Sequence, residues 1–507
     1  MQVLKKGMII IMRITNKMMT NNMMSNINKN RLSMSKLEQQ YSTSKKIQRP
    51  SEDPIIAVRA LKLRTNLAEV EQYHDKNIPD AKAWMDITET ALTTVHGLLH
   101  DINTYCVQGS SDQLQPSDRS DIVQNLEQLK TQIYHEGNSS YAGRYVFTGY
   151  KTDSSLLFDK KKDLTYRITE KTAGNQIEFG RAVAGSYEMK DFDDGATFDT
   201  APRLVEYHRI QLSYDTLDAS ALPPAELNYI KSKGDAPVDL SGAIKVISIT
   251  DSANNPYEPD PDEIHYISET GELILGENIY QGLKNADQID ISYTKSSFKE
   301  GDLKPEHYFD CIQNPGKPEE ITFTRPEIKQ EIQYEVNYNQ KLTVNTEGTE
   351  AFAHKMGRDI DEILNAVNDV VASENKIAQV KERLKDTSLT TDDRAKYEKM
   401  LEQLDTEWVL KKEVMQDAFS KEITTSYNEK DRVNTALADL GSRYVRLELT
   451  EDRLGSQKGD FEDLMSRNEE VDLEETIIKY GSADVVYKAS LYAASRAVQN
   501  TLLDFLR

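Results

Sequence analysis

"KKIQRPSEDPIIAVRALKLR", residues 45–64, lies between two runs of helical periodicity and decides how the rest of the chain is read. Pro50 disfavours helix at Arg49, and Pro54 does the same at Asp53, because each proline ring crowds the residue before it. Asp53 followed by Pro54 is itself a good helix start: a carboxylate able to accept the first free N–H groups, then a residue whose missing N–H costs nothing in the first turn. The stretch reads as a helix stop, a stiff turn and a helix start. What the two interrupted helices pack against follows from the sequence on either side.

Upstream, Met23, Ile27, Asn30, Met34, Leu37 and Tyr41 recur in steps of four and three, with Asn30 the one polar member. Downstream, Leu67, Val70, His74, Asn77, Ala81, Trp84, Thr88, Ala91, Val95, Leu98 and Ile102 continue the same spacing. Both are coiled-coil-like seams. Asn77-Ile78-Pro79 interrupts the second, and Pro79 after a capping Asn predicts the first turn of a new helix.

All fifteen prolines fall at or before Pro326, eleven of them from Pro202 onward, which leaves the last 181 residues free to be helical. Between residues 151 and 349 the period changes to two: Ile289, Ile291 and Tyr293 alternate with polar residues, as do Ile332, Tyr334, Val336 and Tyr338, and "ELILGE" follows a Thr-Gly turn. "NNPYEPDPDE" is a loop. From residue 350 the helical period returns, broken once by a capping-box pattern at Thr390 and Asp393, and the chain closes on Leu473, Ile477, Tyr480, Asp484, Tyr487, Leu491, Ala494, Val498, Leu502 and Phe505. The expected fold is α+β: paired N- and C-terminal coiled-coil-like helices forming an elongated helical core, with a central, mainly antiparallel β domain. The expected divisions are 1–12 (upstream extension and start, Met12 being the natural one), 13–150, 151–349, and 350–507 with a helical hairpin near 375–424.

The 507 residues are 29% charged, with a formal net charge of −22 and a pI near 5.0, so a general nucleic-acid or anionic-membrane binder, which needs a cationic face, is disfavoured. The opening "MQVLKKGMIIIMRIT" is too short to span a bilayer, and no small-residue cleavage site follows it. Charge is uneven along the chain. Residues 13–50 hold eight basic side chains against Glu38 alone, whereas residues 431–507 hold ten basic and fifteen acidic ones. The two ends are suited to pair, and apolar residues beside the seams (Met18, Met19, Met24, Leu32, Leu464, Met465, Tyr492) would then stay wet until neighbouring subunits covered them.

In this setting "STSKKIQRPSEDPIIAVRALKLRTNL" resembles the end of the first helix in the type 3 hook-associated proteins, the hook–filament junction branch of the flagellin superfamily. "MRITNKMMTNNMMSNINKNRLSMSKLEQQYSTSKK", "AWMDITETALTTVHGLLHDI", "NSSYAGRYVFTGYKTDSSLLF" and the closing "EEVDLEETIIKYGSADVVYKASLYAASRAVQNTLLDFL" resemble further parts of the same family, covering residues 12–158 and 430–507. Ser44 stands where a glycine is usual in that family, and Glu52 where an aspartate is. The resemblance implies a secreted structural subunit of the bacterial flagellum at the hook–filament junction, exported unfolded by the flagellar type III route with a dedicated chaperone. Its implied partners are the hook-side junction protein (hook-associated protein type 1), flagellin and copies of itself, with no nucleic acid and no membrane insertion. The candidate assembly interface is Met23, Ile27, Met34, Leu37, Tyr41, Arg49, Pro50, Asp53, Pro54, Tyr487, Leu491, Val498, Leu502 and Phe505. A flagellin-like filament subunit is the alternative, and after it a helical stalk carrying a ligand-binding β domain.

The chemistry-bearing patterns are sparse. His96 and His100 have helical i, i+4 spacing, but Gly97 follows the first where a metalloprotease needs Glu. His135-Glu136 lacks a second histidine, "DFDDGATFDT" (191–200) lacks the register of a calcium loop, and Cys106 and Cys311 stand in no ligand spacing. No phosphate-binding glycine loop or nucleophile elbow occurs. The expectation is a protein that is not an enzyme, with no cofactor and no metal.

Overall fold

Asn16–Thr43 (α1), Pro54–Gln72 (α2), Ile78–Gly109 (α3), Pro116–Glu136 (α4), Met189–Asp193 (α5), Glu277–Leu283 (α6), His354–Leu384 (α7), Thr391–Glu469 (α8) and Leu473–Leu503 (α9) are the α-helices of the computed structural model. It describes residues 16–111, 116–193, 197–221, 223–249, 255–326, 328–386 and 389–503. Contacts divide the chain into two units: Met1–Ile78, Val336–Asn339 and Glu448–Arg507 form one, and Pro79–Glu335 with Gln340–Leu447 the other.

In the first unit the first and last helices meet. α1 packs antiparallel on α9, and α2 runs beside the last part of α8. The helix start predicted at residue 53 is present: Asp53 is extended (φ −147°, ψ 99°), and its carboxylate accepts from the N–H groups of Ile55 and Ile56 at 3.0 and 3.2 Å. The predicted break at Asn77 is not. Tyr73–Asn77 form a π turn, and Ile78 is helical (φ −67°, ψ −47°), its N–H donating to the Tyr73 carbonyl. Pro79 can give no N–H and crowds the carbonyl four residues back, so the wide turn accommodates it where a regular helix could not.

The second unit joins helices to two sheets. α3 carries its predicted seam inward: Ala81, Trp84, Thr88, Ala91, Val95, Leu98 and Ile102 are all buried. It lies on α8, where Asn103 Nδ2 donates to Ile423 O and Ser426 Oγ, both at 3.1 Å. Gly109 comes so close that an added Cβ would stand 2.4 Å from the Phe419 ring. At the start of α8, Thr390 Oγ1 accepts the Asp393 N–H at 3.1 Å and donates to its carboxylate at 2.7 Å. Ile377 and Val380 of α7 meet Tyr397, Met400 and Leu404 of α8.

The strands are β1 (Ser140–Tyr141), β2 (Arg144–Tyr145), β3 (Tyr166–Thr172), β4 (Glu178–Ala184), β5 (Arg203–Gln211), β6 (Ala225–Ile230), β7 (Val238–Asp239), β8 (Ile244–Val246), β9 (Ile264–Ile267), β10 (Glu272–Leu275), β11 (Gln288–Lys295), β12 (Asp310–Gln313), β13 (Ile321–Phe323), β14 (Gln333–Asn337) and β15 (Gln340–Thr343). One sheet has the order β13-β12-β3-β11-β6-β7, the other β4-β5-β10-β9-β8. Their pairings are antiparallel except β8 with β9. The alternation in β11 is kept, with Ile289, Ile291 and Tyr293 buried, and one hydrophobic cluster draws on both sheets. Gly271 makes the predicted turn before β10 at φ +64°, where a Cβ would strike the Tyr214 carbonyl at 1.9 Å.

The outer face of the five-stranded sheet is tied to α7 and α8 through charge. Arg209 of β5 is buried and reaches Glu178 (3.1 Å), Glu362 (2.6 Å) and Glu272; Lys421 of α8 reaches Glu178, Asp359 and Glu362 at 2.8, 2.9 and 3.0 Å. Against burial, which would raise it, Lys421, Arg209 and Lys355 hold the Glu178 carboxyl down at about 2. Each cation answers several carboxylates, the condition under which buried charge is tolerated.

Candidate assembly interface

At the end of α1, Ser44 turns the chain through the left-handed region (φ +57°), the usual way for a helix to stop. The freed backbone then finds the link between α8 and α9. Lys45 and Glu470 form an antiparallel bridge: Lys46 N donates to Glu469 O at 2.7 Å, and Val471 N donates to Ser44 O at 3.1 Å. Asn468 Nδ2 caps the carbonyl of Ile56 at 3.1 Å, and Lys46 Nζ donates to Arg467 O. The quoted turn and residues 467–471 thus form one clasp, and the breaks in the two helical strands stand side by side.

Charge reinforces the clasp. The Glu469 side chain is only 7% exposed and takes Arg64 through both oxygens, from Nε at 2.8 Å and Nη2 at 2.5 Å, with Lys45 at 3.5 Å. The Arg64 hydrogen bond, then the positive charges of Arg64 and Lys45, lower the Glu469 carboxyl against a smaller burial penalty. Lys45 also reaches Glu470 at 3.2 Å. The opposite charge of the chain's ends is therefore spent at the clasp, although farther along the sign reverses, with Lys458 of α8 on Asp75 at 2.7 Å.

Beyond the clasp the seam is thin. Of the candidate residues whose side chains are described, Ile27 alone is buried; Met23, Met34, Leu37, Asp53 and Tyr487 are half-buried, and Tyr41, Arg49, Pro50, Pro54 and Leu491 are exposed. Val498 and Leu502 belong to α9, but their side chains lie outside the described residues, as does Phe505. The polar seam member Asn30 meets a partner on α9, donating from Nδ2 to Ser490 Oγ at 2.9 Å, a contact that fixes the helices' register. Large apolar side chains remain in water on both helices: Met18, Met19, Met24 and Leu32 on α1, and Ile477, Ile478, Val485 and Tyr492 on α9. Met465 of α8 is half-buried.

Periodicity and motif spacing do not mark Arg64, Glu469 or Glu470 as members of the site. Their signal was present, Arg64 closing the quoted stretch and the two glutamates preceding the break at Val471. His96 and His100 lie along α3, half-buried and exposed respectively, and residues 194–196 of the acidic loop lie outside the described residues. Among the described residues no group of three His, Cys, Asp or Glu is arranged to hold a metal ion, and no helix is long and apolar enough to cross a membrane.

Residues 14–152 match the bacterial flagellin N-terminal helical region. Over 233 residues the chain is 28% identical to flagellar hook-associated protein 3 of Salmonella typhimurium, spanning 45% of this chain and 73% of that one. Over 129 residues it is 29% identical to a flagellin of Clostridium tyrobutyricum, 25% of this chain and 34% of that one. The solved flagellar junction protein FlgL from Legionella pneumophila aligns with 82% of this chain and 100% of its own at 12% identity and a TM-score of 0.28.

Proposed function

We infer, from a chain that carries the flagellin N-terminal helical region and belongs to the flagellin superfamily, that it is a structural subunit of the bacterial flagellum and acts at the hook–filament junction. The observation that carries this reading is the first unit itself: two terminal helices held together beside a clasp, with apolar flanks on α1 and α9 that none of that unit's described residues covers.

A helix pair with so little buried between its members gains little from folding alone. Burying a large apolar side chain is worth about 1.5–3 kcal/mol, and neighbouring helices supply that burial on assembly. We assign the covering surfaces to copies of the same chain and, on either side of the layer they form, to the hook-side junction protein (hook-associated protein type 1) and flagellin. Contacts that repeat from subunit to subunit without self-pairing build rings and helical tubes. In this reading residues 13–150 and 350–507 make the axial core, 151–349 project from it, and the subunit leaves the cell by flagellar export with a chaperone.

Cells lacking the chain should keep their hooks, lose their filaments and release flagellin as monomer. Gold-labelled antibody against residues 151–349 should mark a single band between hook and filament. Label spread along the filament would instead identify a filament subunit, and intact filaments in the deletion strain would refute the junction role.

A further inference from the structure

Glu422 stands on α8 next to Lys421, in the layer where α3 and α7 close on that helix. Its side chain is fully buried, and neither carboxyl oxygen has a hydrogen-bond partner. The groups that face it come from every packed element. On α8 they are Lys421, engaged by Glu178, Asp359 and Glu362, and Glu429, paired with Arg432. From α7 come Asp359, which also accepts from Thr425 Oγ1 at 2.8 Å, and Lys355, engaged by Glu178. From α3 comes the buried thiol of Cys106, and α4 brings Tyr134 near Glu429, with its hydroxyl given to Ala353 O. The nearby cations are thus shared among other carboxylates. A carboxylate without a partner in such a place is strongly disfavoured, whereas the neutral acid carries only the smaller penalty of an unpaired polar group.

We propose that Glu422 is a proton-held lock on the α3–α7–α8 packing of the second unit: the neutral acid closes the layer, and loss of its proton loosens it. Burial, then the negative charge of Asp359, raises the Glu422 carboxyl well above its ordinary value, Lys421 pulling the other way. With the folded value raised, the stabilisation is complete below the unfolded carboxyl value of about 4.3 and is lost as pH rises through the folded value. The contribution of Glu422 to the α3–α7–α8 layer is therefore strongest at the acid end of the range and fades as pH rises.

The test is urea unfolding of the full chain across roughly pH 5 to 9, comparing wild type with Glu422→Gln, alongside amide exchange corrected for its intrinsic pH dependence. Between the unfolded and folded carboxyl values, wild-type unfolding should release about one proton more than that of the variant. The wild-type midpoint should then fall more steeply with pH, and amides of residues 103–106 and 419–426 should lose protection in wild type but not in Glu422→Gln. Parallel midpoint curves would overturn the proposal. Should the variant not fold, the infrared spectrum of wild type decides: a carboxylic-acid C=O band present at neutral pH and lost in step with that protection supports the lock. Absence of the band at neutral pH refutes it.

Discussion

Replacing Ser44 by glycine should strengthen the clasp. Ser44 holds φ +57° immediately after α1 and, in that conformation, presents its carbonyl to the Val471 N–H at 3.1 Å. An L-residue in the left-handed region carries a penalty of roughly 1–2 kcal/mol, which glycine escapes. Against this, glycine gives the unfolded chain more freedom, which costs about 0.4–1 kcal/mol. Taken at mid-range, the difference favours Ser44→Gly by about 0.8 kcal/mol, and Ser44→Val, β-branched and without that escape, should move the other way. Global unfolding would average this over the whole chain, so the readout is local: native-state exchange of the Val471 and Lys46 amides, both of which donate across the clasp. The gain corresponds to a two- to fivefold slowing, at about 1.4 kcal/mol per decade. Unchanged or faster exchange in Ser44→Gly, or a Ser44→Val variant as protected as wild type, would refute the assignment of strain to this residue.

Asp53→Ala removes the acceptor for the Ile55 and Ile56 amides and should cost about 0.5–2 kcal/mol, while Asp53→Asn retains most of the cap; melting of α2 followed by local exchange reads both. Because the Glu469 carboxyl is lowered, its contribution to the clasp is present above the unfolded carboxyl value of about 4.3 and lost as pH falls through the folded one, so the clasp should open in acid before the β sheets do. Glu469→Gln should remove that acid transition at a cost of about 1 kcal/mol or less near neutrality, since Arg64 is largely exposed; an unshifted acid profile of Val471 exchange would contradict this. Gly109→Ala, which drives a methyl into the buried Phe419 ring, should destabilise by about 1–3 kcal/mol in urea titration in spite of alanine's better helix propensity.

The sequence made the α3 seam legible because a helix with one apolar stripe has one way to bury it, and β11 because strict alternation fixes which face turns inward. The turn at residues 49–54 was legible for a local reason: two prolines and a cap leave the backbone few choices. Partners were harder, since periodicity states that a face is buried but not by what. Nothing in Arg64 alone points to Glu469, 405 residues away. Leu491, a heptad member, is exposed together with Leu473 and Ile477 of the same run, because the repeat names a face and not what covers it. Tyr338 breaks the alternation because β14 ends at Asn337 and the chain turns at Asn339, φ +53°. The contact units divide at Ile78–Pro79 and at Leu447–Glu448, inside helices that run on, where no loop composition could mark a boundary. Glu422 and Glu429 stand in helical phase with Met415, Phe419, Val433 and Leu440, a phase that marks them only once those four are seen to be buried.

The coincidence of the two helix breaks has a mechanical consequence. Had the links 44–53 and 470–472 lain at different heights, either one could give way only by sliding past an unbroken neighbour. Level with one another and stitched by backbone hydrogen bonds, they make a paired joint, so that α1 and α9 can swing together as one arm without parting from each other. In the proposed junction role such a joint would let α1 and α9 take up slightly different inclinations while leaving the α2–α8 packing beside it unaltered.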